Sequence, residues 1–284
     1  GSEMCIRDRA KIDSDPESEE VKEAEKHLWE KIYKKSGQGR RTGVGITAEG
    51  DMLAAMGLRY GTEEATEFSE QVHKTIALEA YRSSVNMAKE RGAFAIYDSE
   101  REKNNPFINR LKEADPELYE EMKKYGRRNI ACLTIAPTGT TSLMTQTTSG
   151  IEPVFMPVYK RRRKVNPNDP QTHVDFVDET GDAFEEYIVF HHKFVEWMTV
   201  NGYDPTKRYT QEEIDKLVEK SPYYKATSND VDWLMKVKMQ GRIQKWVDHS
   251  ISVTINLPND VDEALVNRLY VEAWRSGCKG CTVY

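Results

Sequence analysis

The sequence predicts an α/β fold in which short strands alternate with long helices and pair at least partly in parallel. Three observations carry this. Short apolar runs recur at residues 43–47, 130–136, about 152–160, 250–257 and 280–284. Between them, apolar residues repeat at helical spacing over several turns. The 284 residues are 38% hydrophobic and 31% charged, enough for one large or two small cores under a solvated surface.

Gly1-Ser2 reads as a cloning remnant, and Glu3–Arg9 matches no element. Residues 1–13 are therefore expected to form a tail carried over from cloning or sequence assembly, in which Cys5 has no function, and residues 14–284 the folded domain. Ser14-Asp15-Pro16-Glu17 has the capping chemistry and early acids of a helix start. Val21, Ala24, Leu28, Ile32 and Tyr33 continue it to about Ser36, and Gly37-Gln38-Gly39 ends it. Gly43-Val44-Gly45-Ile46 reads as a buried strand or a close-packed turn. The preceding Arg40-Arg41 is either an anion clamp or a solvated pair.

A short helix is expected over Asp51–Met56 and a long one from Thr62 to about Arg91, with Phe68, Val72, Ile76, Ala80, Val85 and Ala88 as its apolar stripe. His73 lies on that helix and is expected at the surface or core edge. Two short helices follow, around Phe107–Lys112 and Pro116–Lys124, and Gly126-Arg127-Arg128 leads into the central strand.

That strand opens the stretch Ile130–Phe155, IACLTIAPTGTTSLMTQTTSGIEPVF, around which the chain is organised. Pro137 stops the strand, Thr138-Gly139-Thr140-Thr141-Ser142 turns, and Leu143-Met144 enters a short helix. A helix start leaves N–H groups without intrahelical partners, and four hydroxyls lie within five residues. Residue chemistry leaves two readings: a phosphate cradle, or an ordinary Ser/Thr/Gly turn. It is neither a Walker loop nor a Rossmann fingerprint. Glu152, before Pro153, either serves a pocket mouth or caps local N–H groups.

Tyr159–Lys164, the most basic run, reads as a solvated strand or loop, and Asn166–Pro170 as a turn. Ala183–Thr199 is expected to be one helix. His191 and His192 would then point about 100° apart, which argues against a shared metal. Thr210-Gln211-Glu212-Glu213 starts a well-capped helix ending near Lys220. Asp230–Asp248 is expected to be helical, Ser250–Leu257 a half-buried strand and Pro258-Asn259-Asp260 a turn. Val261–Ser276 reads as a helix with Gly277 at its C-terminus, and Cys281 begins a last strand.

The net charge of −6 disfavours nucleic-acid binding through a broad basic face. Four cysteines make no disulfide scaffold at this length, and no apolar run or leader signals a membrane span or export. The expectation is a reducing cytoplasm and no metal site. Cys132 reads as a core residue. Cys278-Lys279-Gly280-Cys281 is a C-x-x-C, either a redox dithiol or a helix C-cap entering a strand. Its place after a helix, where the dipole opposes thiolate formation, favours the second reading.

Four blocks in order resemble the catalytic subunit of ribonucleotide reductase, over roughly residues 20–284. They are Arg40–Thr47 running into Asp51–Gly57, Ala136–Ser142 with Ser149–Phe155, Trp246–Pro258, and Ala273–Tyr284. The style is that of the adenosylcobalamin-dependent branch. The resemblance implies the C-terminal part of a ten-stranded α/β barrel. It also implies a parent enzyme that makes deoxyribonucleotides by thiyl-radical chemistry, with a thioredoxin-like reductant. It assigns Pro137, Thr138, Gly139, Thr140, Thr141 and Ser142 to the substrate phosphates and leans Glu152 toward the pocket. The family's Asn-x-Cys-x-Glu radical loop does not occur in this sequence. The expectation is a fragment with no catalytic residue of its own, inactive alone, that needs the remaining N-terminal part of the reductase. The alternatives are a nucleotide-binding or structural module without the chemistry, and a piece of the iron-dependent class I large subunit.

Overall fold

A computed structural model of the chain describes residues 10–166, 173–258 and 260–284. The expectations for residues 1–9, for the turn at residues 167–170 and for Asn259 lie outside the described residues. The helices and strands in chain order are α1 (Glu19–Gly39), α2 (Glu49–Ala55), α3 (Glu63–Arg91), α4 (Ser99–Glu102), α5 (Pro106–Ala114), α6 (Pro116–Tyr125), α7 (Gly139–Thr145), β1 (Val158–Val165), β2 (Phe176–Val177), β3 (Ala183–Phe190), α8 (His192–Val200), α9 (Gln211–Lys220), α10 (Trp233–Gln244), β4 (Thr254–Ile255), α11 (Glu263–Arg275) and β5 (Thr282–Val283). The architecture is mixed α/β, and the described strands close no barrel.

The chain divides into two compact units. The first comprises Gly1–Gly45, Glu70–Ile135 and Gly241–Ile251, and the second Ile46–Ser69, Ala136–Gln240 and Ser252–Tyr284.

In the first unit, the apolar run at 130–136 is extended. It pairs only at isolated parallel bridges, Val44 with Leu133 and Ile135 with Ile251. The expected strands at 43–47 and 130–136 are therefore short parallel contacts rather than regular ladders, with backbone bonds from Thr42 to Ala131, from Val44 to Cys132 and from Thr134 to Val44. Gly45 explains the close approach: a Cβ there would meet the Thr134 carbonyl oxygen at 2.1 Å. Asp248 anchors the run, its carboxylate accepting from the Cys132 and Leu133 N–H groups (2.7 and 2.9 Å) and from the Tyr81 hydroxyl (2.7 Å).

The helix starts follow the sequence. Asn105 accepts from Phe107 N–H before Pro106, and Asp115 from Leu118 N–H before Pro116. Helix α1 departs from expectation. Ser18, not the Ser14 region, is its N-cap, and it runs through Gly37 and Gly39 to a left-handed Arg40 (φ 50°). Glycine weakens a helix without stopping it. Its apolar stripe is not buried, with Leu28 55% exposed. His73 is buried at 2% exposure, which corrects its expected edge position. The buried face of α3 in this unit runs through His73, Ala77, Tyr81, Ser84, Val85 and Ala88, so only the last two of the expected stripe lie fully inside. Arg127, also 2% exposed, forks onto both carboxylate oxygens of Glu102 at 2.5 Å beneath the rings of Tyr81, Phe94 and Tyr97.

In the second unit, β1, β3 and β2 form an antiparallel sheet in that order, with Val158 opposite Phe190 and Val165 opposite Ala183. The single helix expected over Ala183–Thr199 is thus a strand followed by α8. The aromatic and β-branched residues of β3 suit a pleat. Its acids also find cations across the ladder: Arg162 bonds Glu186 (2.7 Å) and Arg163 bonds Glu185 (2.5 Å). The basic run at 159–164 is accordingly a solvated strand. The strand expected from residue 152 begins only at Val158, because Pro153 and Pro157 have no N–H to give; a lone parallel bridge joins Val154 to Thr227. Within 250–257 only β4 is regular, and it pairs in parallel with β5. Helix α10 is shorter at both ends than the expected 230–248.

One core of this unit gathers Ala54, Val154, Phe194, Met198, Leu217 and Tyr223. Another gathers Val237, Ile255, Leu269 and Ala273. Helix α9 carries a full capping box between Thr210 and Glu213. Gly277 closes α11 at φ 78°, as its position suggested.

Candidate functional site

The Pro137–Ser142 turn lies in the second unit and leads into α7. Thr138, at the N-cap, has a left-handed backbone (φ 53°), a strained conformation for a β-branched residue. Its side chain caps no N–H of its own helix. Instead the Thr138 Oγ1 accepts from Gly150 N–H at 2.7 Å and lies 3.1 Å from Thr47 Oγ1. Thr47 in turn donates to the Thr148 carbonyl at 3.1 Å. Thr138 therefore donates to Thr47, and its hydroxyl is committed to holding the turn.

Ser142 is committed too. It is buried, its Oγ donates to the Gly139 carbonyl at 2.9 Å, and it receives the Ser149 hydroxyl at 2.6 Å. Thr140 and Thr141 are exposed, and among the described residues no protein group engages their hydroxyls. The first-turn N–H groups of Gly139, Thr140 and Thr141 have no intrahelical acceptor, as at any helix start. Of the six turn residues, Thr138 and Ser142 build the turn, Gly139, Thr140 and Thr141 present donors, and Pro137 has no N–H.

Beside α7 an open cavity of about 850 Å³ is lined by Ser142, Glu152, His191, Asn256 and Tyr284, among others. Only Ser142 of the turn reaches it. Glu152 does line it, and both of its oxygens are engaged: Oε1 accepts Thr254 N–H and Oε2 accepts Lys236 Nζ, each at 2.7 Å. Lys236 is 3% exposed and also donates to the Thr254 carbonyl. The N–H that Glu152 caps is not a local one but that of Thr254, 102 positions away, and the side chain forms part of the cavity wall.

One cluster escaped sequence reasoning. Asp51, on α2, accepts from His191 Nε2 (2.8 Å) and the Tyr223 hydroxyl (2.8 Å) through Oδ1, and from Thr148 N–H (2.8 Å) through Oδ2. No local pattern links residues 140 and 172 positions apart. Burial and the Asp51 carboxylate push the Tyr223 phenol well above its ordinary value.

Burial raises the thiols of Cys132 and Cys278 to about 12 and that of Cys281 in the same direction. Such thiols are poor nucleophiles. Among the described residues no group of three His, Cys, Asp or Glu is placed to hold a metal ion, and no helix is long and apolar enough to cross a membrane.

A family model described as "Ribonucleotide reductase, barrel domain" matches residues 19–284. The vitamin B12-dependent ribonucleoside-diphosphate reductase of Mycobacterium tuberculosis (strain ATCC 25618 / H37Rv) is 29% identical over 252 residues, 86% of this chain and 30% of that protein. The protein of the same name from Thermoplasma acidophilum is 29% identical over 267 residues, covering 94% and 31%. The ribonucleoside-diphosphate reductase subunit alpha of Chlamydia pneumoniae is 25% identical over 264 residues, covering 84% and 24%. The chain spans less than a third of the length of these relatives.

Proposed function

The chain belongs to the ribonucleotide reductase barrel-domain family, and on that premise we propose that it supplies the substrate phosphate-binding turn of a vitamin B12-dependent ribonucleoside-diphosphate reductase. The longer enzyme would convert ribonucleotides to deoxyribonucleotides, with adenosylcobalamin as the radical source and a thioredoxin-like reductant. This segment would contribute binding rather than radical chemistry. The B12-dependent reading is preferred to the class I reading because the relatives so named reach 29% identity, against 25% for the subunit alpha relative.

The observation that carries the proposal is the division of labour in the turn. Thr138 and Ser142 are spent on internal bonds, and the uncapped N–H groups of Gly139, Thr140 and Thr141 stay exposed beside two unengaged hydroxyls. Such a donor set suits phosphate oxygens. The cavity beginning at Ser142 would take the sugar.

The test is a thermal melt of the chain with and without millimolar adenosine diphosphate, repeated on the Thr140→Val, Thr141→Val double variant. A ligand that binds only the folded state raises the midpoint. The expected result is a rise in the parent chain that is reduced or lost in the variant. A cooperative melt that nucleotide does not move would sink the assignment.

A further inference from the structure

The Asp51 cluster does more than close a core. Asp51 is 5% exposed, and both of its oxygens act as acceptors, Oδ2 from a backbone N–H and Oδ1 from a phenol. The remaining bond to Oδ1 therefore takes its hydrogen from His191, which places that hydrogen on Nε2. In the neutral tautomer with that hydrogen, Nδ1 is the acceptor nitrogen, and no protein group among the described residues bonds it.

The ring is held on further sides. Tyr223 packs edge-on against it, with centroids 5.9 Å apart. Asp51 is itself clamped to the cavity-lining loop by two bonds with Thr148, one through Oδ2 and one from its own N–H to the Thr148 hydroxyl (3.3 Å). Gly50 allows this close seat: a Cβ there would meet the Glu152 carbonyl oxygen at 2.8 Å. An imidazole fixed by a carboxylate, lining a cavity with one nitrogen unengaged, is preorganised to meet a ligand.

We propose that His191 is a ligand-contacting residue of this cavity and Asp51 its positioning residue, so that Nδ1 accepts a hydrogen bond from a hydroxyl of a bound sugar. This rests on the reading that the cavity takes the sugar of a nucleotide. A neutral acceptor suits a hydroxyl donor. A phosphate, which offers mainly acceptors, belongs at the donors of the α7 turn.

Two measurements test it on the whole chain. The first needs no ligand. Nitrogen-15 spectra of the His191 ring at pH 8 should show the neutral Nε2–H form, and Asp51→Asn should disturb it. A hydrogen on Nδ1, or a ring indifferent to Asp51→Asn, would overturn the positioning role.

The second compares His191→Gln, whose amide nitrogen can still donate toward Asp51 while its acceptor oxygen sits on the δ-carbon rather than at the position of Nδ1. Its affinity for adenosine diphosphate should fall roughly 3- to 10-fold, the worth of one hydrogen bond. Its affinity for 2′,3′-dideoxyadenosine diphosphate should be unchanged. Undiminished binding of the ribonucleotide, or equal weakening of both ligands, would overturn the sugar contact. If the parent chain binds neither nucleotide, the nucleotide reading itself fails and the sugar contact with it, while the nitrogen spectra still decide the role of Asp51.

Discussion

Lys236 Nζ lies 2.7 Å from Glu152 Oε2, and the two side chains together hold both backbone polar groups of Thr254. A buried ammonium on α10 is thereby neutralised by a carboxylate of the cavity wall, and β4 is fixed between them.

Removing one partner of this pair should cost far more than removing both. Glu152→Ala leaves Lys236 buried without its counter-charge and should destabilise the fold by about 3–5 kcal/mol. Adding Lys236→Met should recover part of that loss. Urea unfolding of the four species of a double-mutant cycle measures the coupling. Additive losses would show that the pair carries no shared energy.

Gly45 should tolerate no side chain. Gly45→Ala drives a Cβ onto the Thr134 carbonyl oxygen, a backbone atom that cannot rotate away. The expected loss is about 1–3 kcal/mol, the usual cost of overpacking. Gly139→Ala, where a Cβ meets nothing within 4 Å, is the control and should stay close to the parent in a thermal melt.

Stability should fall as pH rises above about 9. Burial raises Cys132 from 9.0 to about 12, so between those values the unfolded chain has lost its thiol proton while the folded chain keeps it. Raised acids stabilise the fold below their unfolded pKa and lose that contribution as pH climbs toward the folded value. Cys278 acts in the same window, and Tyr60, Tyr81 and Tyr223 join from about pH 10. Urea midpoints at pH 8, 9, 10 and 11 should decline, and Cys132→Ala, though less stable at pH 8, should decline less steeply.

The β1–β3 ladder should be locally sensitive and globally forgiving. Arg162→Glu sets like charges opposite Glu186 and removes the guanidinium that sits 4.3 Å from the centre of the Phe176 ring. Exposed pairs are worth about 0–1 kcal/mol, so the global midpoint should move little. Hydrogen exchange at β3 amides should speed up, and 1 M salt should narrow the difference from the parent because the pairs are screened.

The sequence by itself determined what is local. The capping box of α9, the Asn-Pro and Asp-Pro starts of α5 and α6, and the glycine after α11 are each settled by bonds within a few residues. The organising stretch at 130–155 was likewise legible, since Pro137 and the Thr/Ser/Gly turn dictate a break and a helix start from their own chemistry.

Only the tertiary structure decided the rest. Ala183–Phe190 became a strand because Val158–Val165 offered a complementary edge, which no window on Ala183–Thr199 contains. Arg127 was buried by neighbours brought from elsewhere in the chain, Glu102 and the rings of Tyr81, Phe94 and Tyr97. Glu152 meets partners 84 and 102 positions away, and Asp51 finds His191 at a separation of 140. Local chemistry fixes which backbone conformations a segment prefers. Which side chains share a cavity depends on contacts between distant segments, and those exist only once the chain has folded.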